Sequence, residues 1–224
     1  MVWGVSLAAL GFLVSTAASA AVITSTTGFQ EQNLGAGVAT FESPTPVNTG
    51  GTTNPPGQFS DGPGSWSGTG IIANGTSEGN YAAPAGDTTD YMAVLASPNR
   101  GPETLTLTAP ATTINLYWGS IDTYNFIDFL IGTTVVKTVS GSFFAPANGD
   151  QVAPGTNRFV TITLASIFNG VRFRSEGLNA FEFDNVSANA VPIPAALPLF
   201  AGGVGLLGWL ARRKRRSAVA ALNA

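Results

Sequence analysis

Apolar and polar residues alternate with period two in short runs through the middle of the chain, as strands with one buried face require. Leu105 and Leu107 alternate with Thr104, Thr106 and Thr108, and Ile114, Leu116 and Trp118 with Asn115 and Tyr117. Ile127, Phe129 and Ile131 alternate with Phe126, Asp128 and Leu130, and Val160, Ile162 and Leu164 with Thr161 and Thr163. Val171 and Phe173 oppose Arg172 and Arg174, and Phe181 and Phe183 oppose Glu182 and Asp184. Turn signals separate the runs at Ala109-Pro110, Ile131-Gly132, Asn148-Gly149-Asp150 and Asn169-Gly170. No segment of this body has the 3.6-residue period of an amphipathic helix. The pattern predicts an all-β fold, a jelly-roll-like antiparallel β-sandwich of two packed sheets over residues 21–190. Trp118 is expected in its core.

Residues 42–90 break the alternation. They are dense in Gly, Pro, Ser, Thr and Asn, with Pro44, Pro46, Pro55, Pro56 and Pro63 close together. Long loops with one or two strands, notably Thr69–Ala73, are expected there.

Both ends have a different pattern. Val2–Val14 is an uncharged apolar run, and Ala18-Ser19-Ala20 has the small-x-small form of a signal-peptidase site. Residues 1–20 therefore read as a signal peptide cleaved after Ala20, with Ala18 as the other small residue. No Lys or Arg precedes the run. At the other end no charge occurs from Asn185 to Ala211. Residues 195–211 could form a transmembrane helix of about 25 Å, near the short limit for a span. Arg212, Arg213, Lys214, Arg215 and Arg216 follow as a topology signal that holds this end in the cytoplasm, with residues 217–224 as a cytoplasmic tail. Gly203-Val204-Gly205-Leu206-Leu207-Gly208 fits a dinucleotide-site pattern but lacks the flanking βαβ unit and following acid.

Charge sharpens this picture. The body holds five basic and thirteen acidic residues, a net −8, which repels nucleic acid. The chain has no Cys and no His. Disulfides, Cys nucleophiles, Ser-His-Asp triads and the usual zinc sites are therefore excluded.

Val191, Pro192, Ile193 and Pro194, then Ala195–Phe200, a Gly-rich apolar stretch and the basic cluster, resemble a PEP-CTERM sorting tail over residues 191–216. Ile193 stands where the family name implies Glu. The resemblance implies an exosortase-type membrane processing enzyme as partner and transient anchoring through the C-terminal helix. It implies an exported protein, first an inner-membrane intermediate, then at the cell surface or in the extracellular matrix. Asn80–Tyr91, Leu116–Asn125 and Phe181–Val186 loosely resemble a recurrent body type among exosortase-dependent surface proteins.

Candidate chemistry in the body is sparse. Glu182 and Asp184 share a strand face about 6.6–7 Å apart, a spacing that could serve glycoside hydrolysis. Facing solvent or pairing with Arg172 and Arg174 is the alternative, and no further acid/base group supports catalysis. Trp66, Tyr81, Tyr91, Tyr117 and Tyr124 could include exposed rings that stack on an extracellular polysaccharide. Asp184 and Asn185 could help bind a structural calcium, or simply end a solvated strand. No other cofactor is expected. The expected role is a non-catalytic structural one, with a carbohydrate-binding module and a glycan-active enzyme as alternatives.

Overall fold

The computed structural model describes residues 21–28, 37–42, 48–49, 58–96 and 101–191. Among these residues twelve strands are formed: β1 (Ala21–Thr27), β2 (Val38–Ala39), β3 (Asn48–Thr49), β4 (Gln58–Asp61), β5 (Gly64–Gly68) and β6 (Ile71–Asn74), then β7 (Tyr91–Val94), β8 (Glu103–Gly119), β9 (Asn125–Ile131), β10 (Thr134–Ser140), β11 (Arg158–Ser175) and β12 (Phe181–Ala190). Pairing is antiparallel except for β3 with β6.

The expected two-sheet jelly roll is corrected. All twelve strands belong to one hydrogen-bonded sheet whose main path runs β10-β9-β11-β8-β12-β7-β6-β3, with an edge at each end and no barrel closure. The cause lies in two long strands. β8 has 17 residues and β11 has 18, and each was expected to be two strands joined by a turn. The ladder between them runs from Arg158↔Trp118 to Thr163↔Thr113, loses register, and resumes from Gly170↔Thr106 to Phe173↔Glu103. Ala109-Pro110 and Asn169-Gly170 fall in or beside this irregular stretch rather than in reversals. An exposed proline that donates nothing is tolerated at such a break.

The break lets each half of β11 serve different neighbours. Its first half also pairs with β1, and its second half with β9. Side chains from both halves of β8 and β11 meet in one core, including Leu105, Trp118, Ile162 and Phe173. Its centre is aromatic: Phe173 and Phe183 stack at 4.2 Å, Trp118 and Phe181 at 4.5 Å, and Trp66 lies 5.8 Å from Phe173. A smaller cluster of Ile71, Ala73, Tyr81, Tyr91, Ala93, Leu95 and Ala180 packs separately from this core.

Among the described residues no helix is long and apolar enough to cross a membrane; Gly141–Phe143 forms a single 3₁₀ turn. The described residues thus form an antiparallel β-rich domain without a spanning helix. The expectations that rested on such a helix are withdrawn with it: the inner-membrane intermediate, transient anchoring, and a membrane-embedded exosortase-type partner. Residues 195–211, Arg212–Arg216, Pro192, Ile193, Pro194, Ala18 and Ala20 lie outside the described residues. Val191 is described and is 37% exposed.

Candidate functional site

A polar cleft of about 130 Å³ opens where β8 ends and β12 begins. Ser120, Asp122 and Tyr124 come from the turn after β8, Asn179, Ala180 and Glu182 from the entry to β12. Residues 79–82 and the Gly149–Gln151 segment complete its lining.

Long-range hydrogen bonds fix these walls. Asn157, fully buried, accepts the N–H groups of Ala85 (2.9 Å) and Ser120 (3.1 Å). Its amide donates to the carbonyls of Asp150 (3.1 Å) and Ala153 (3.0 Å), so one side chain ties three segments together. Asn125 accepts the Asp122 N–H at 2.9 Å and donates to the Ala180 carbonyl at 2.9 Å. Tyr124 donates its hydroxyl to the Asn179 carbonyl at 3.0 Å. Gly149 must be glycine: its φ is +66°, and a Cβ there would lie 2.4 Å from an Asp122 carboxylate oxygen.

Glu182 forms the buried floor. One of its oxygens accepts the Ala82 N–H at 2.9 Å and the other the Ser120 hydroxyl at 2.7 Å. Burial pushes its pKa up to about 7; those two donors and its own backbone oppose the shift, and Asp122 adds to it. Asp122 is raised as well, by burial, partly offset by Tyr124. Burial, then Asp122, raises the Tyr124 hydroxyl.

Asp184 follows on the same strand but in a different setting. It is 1% exposed, so the solvated strand end is corrected. Its pKa rises to about 9 through burial first and then the Asp87 charge. The Oδ1 atoms of Asp184 and Asn185 have no hydrogen-bond partner. Arg172 and Arg174 do not reach Glu182 or Asp184. Both grip Asp128, at 2.7 and 2.8 Å, while Thr138 donates to its other oxygen at 2.7 Å. Burial pushes Asp128 up, but Arg174, Thr138 and Arg172 outweigh it and hold the carboxyl below its ordinary value.

The expected stacking platform is also corrected. Trp66, Tyr91 and Tyr117 are fully buried and Tyr81 is 5% exposed; of the five rings only Tyr124 is half-buried at the cleft. Tyr91 and Tyr117 donate to the carbonyls of Gly75 and Ala85, pinning the 75–90 loop. Among the described residues no three Asp, Glu, His or Cys side chains form a metal-holding group. The sequence reading missed Ser120, Asn125, Asn157 and Asp87, whose roles depend on partners far along the chain.

No protein-family model, curated protein or solved structure matches the chain.

Proposed function

We propose that this chain is a non-catalytic β-rich binding domain whose cleft takes a neutral, hydroxyl-rich group, such as the end of a glycan. The carrying observation is the cleft's lining: Ser120, Asp122, Tyr124, Asn80, Gln151 and Asn179 bring donors and acceptors to it, with no basic residue among them. Two acids and no cation disfavour phosphates and sulfates. The volume of about 130 Å³ suits part of one sugar ring rather than an enclosed chain. With most tyrosines buried, recognition is by hydrogen bonds at an end, not by stacking along a face.

One feature argues against hydrolysis: both Glu182 oxygens already accept hydrogen bonds from the protein.

The test is calorimetric titration with a panel of neutral oligosaccharides after screening on a glycan array. The expected result is saturable binding without turnover. Asp122→Ala, with an unchanged circular dichroism spectrum, should weaken it about tenfold or more. Binding that Asp122→Ala leaves intact, or none across the panel, would sink the proposal and favour a purely structural domain.

A further inference from the structure

Asp87, Asp184 and Asn185 each bury a side-chain oxygen that has no hydrogen-bond partner, at residue exposures of 7%, 1% and 3%. Their placement has a backbone cause. Phe181 and Phe183 point into the core, and so do Val186 and Ala188. That change of parity marks the bulge in β12, where three residue steps from Asp184 to Ser187 face two from Tyr117 to Asn115. Asp184 and Asn185 therefore both lie off the core face, with Asn185 at φ +55°. Asp87 is set by its own turn: its N–H donates to the Pro84 carbonyl, and Oδ1 accepts the Thr89 N–H (2.9 Å) and hydroxyl (2.6 Å). Oδ2 is left over.

The surroundings are negative. Asp184 senses Asp87, then Glu42 and Asp61, while Asp87 senses Glu42 and Asp90. The ion pairs among the described residues lie elsewhere, joining Arg172 and Arg174 to Asp128 and Glu176. Arg158 is turned to the carbonyls of Gly155 and Ala145 and to Ser25. A proton on Asp184 Oδ1 would turn that oxygen into a donor for one of the other two and leave the third without a partner. A cation can satisfy all three together.

We infer that the unpartnered oxygens of Asp87, Asp184 and Asn185 form a calcium site. Oxygen-only ligands select a hard cation. Two carboxylates and a neutral amide, completed by carbonyls or water, suit calcium's six to eight flexible positions better than magnesium's strict octahedron. Glu42 and Asp61 add field without joining the ligand set, in keeping with the lack of a three-acid group. The site fastens the turn after Pro84 to β12. It stands apart from the glycan reading of the cleft.

The test uses the full chain. Calcium at about 1 mM should raise Tm by about 5 °C or more over EDTA, and magnesium at the same concentration should do clearly less. Terbium should bind with luminescence sensitised by nearby tyrosine, Tyr117 lying opposite Asp184 in the ladder, and calcium should displace it. Asp184→Asn and Asp87→Asn should each weaken calcium about tenfold or more. If the acids are merely protonated, Asp184→Asn will be at least as stable as wild type and neither protein will respond to calcium. That result overturns the site, as does wild-type calcium affinity in Asp184→Asn. Should both variants fail to fold, absence of calorimetric and terbium binding by the wild type would overturn it alone.

Discussion

Glu103 is fully buried at the start of β8, where one oxygen accepts the Gly70 N–H at 3.0 Å and the other has no partner. Burial pushes its pKa from 4.5 to about 7, and the Gly70 N–H only partly opposes this. A carboxyl raised in the folded state contributes stability that is complete below pH 4.5 and is lost as pH rises through about 7. Glu103→Gln keeps an oxygen for Gly70 and cannot ionise. Relative to wild type it should gain on the order of 1–3 kcal/mol between pH 4.5 and pH 8, read from urea unfolding at each pH. A difference between the two proteins that does not change with pH would refute the assignment. Trp118 was legible as core from its alternation with Ile114 and Leu116, and it is fully buried. Glu103 was not legible, because a strand-initial Glu before a Thr-Leu alternation reads as solvated until Gly70 is known to lie against it.

At the scale of elements, β8 and β11 carry the fold. Local alternation located both halves of each strand, but not that the halves are continuous. Pro and Gly punctuate a bulge and a reversal alike, so Ala109-Pro110 and Asn169-Gly170 looked like turns. At Ile131-Gly132 the same signal was right: Gly132 has φ +59° between β9 and β10. The core is set by which neighbour each half-strand finds, and Phe173 shows this. It sits in the second half of β11, stacks on Phe183 of β12 at 4.2 Å and faces Trp66 of β5. Truncating it removes contacts to two strands that do not pair with that half of β11. Phe173→Ala should cost about 3–5 kcal/mol, with the denaturation midpoint falling and the slope retained. A loss below about 1 kcal/mol would show that the aromatic centre is loosely packed.

Across the whole molecule, the acids divide by environment. Asp87, Glu103, Asp122, Glu182 and Asp184 are raised, each chiefly by burial, whereas Asp128 is held low once its arginine and threonine donors outweigh burial. The sequence disclosed Glu182 and Asp184 as a same-face pair. It could not disclose that Ala82, one hundred residues earlier, donates to Glu182, or that Asp87 crowds Asp184. Those relations exist only once the 75–90 loop is in place. Their joint consequence is a stability profile. The raised group contributes stability below its ordinary range of 3.8 to 4.5 and loses it as pH climbs through about 7 for Glu103 and Glu182 and about 9 for Asp184. Asp128 works the other way: its contribution is present above 3.8 and disappears as pH falls through its lower folded value. Stability in EDTA should therefore peak near about pH 4–5 and decline steadily toward about pH 9. Calcium should flatten that decline, because a bound cation stabilises Asp87 and Asp184 in their ionised forms. Thermal unfolding across this range, with and without calcium, reads both effects. Stability that rises from about pH 5 to pH 8 in EDTA would contradict the buried acids as the controlling groups. A decline equally steep with and without calcium would separate the two, leaving the buried carboxyls in place while removing the cation from their account.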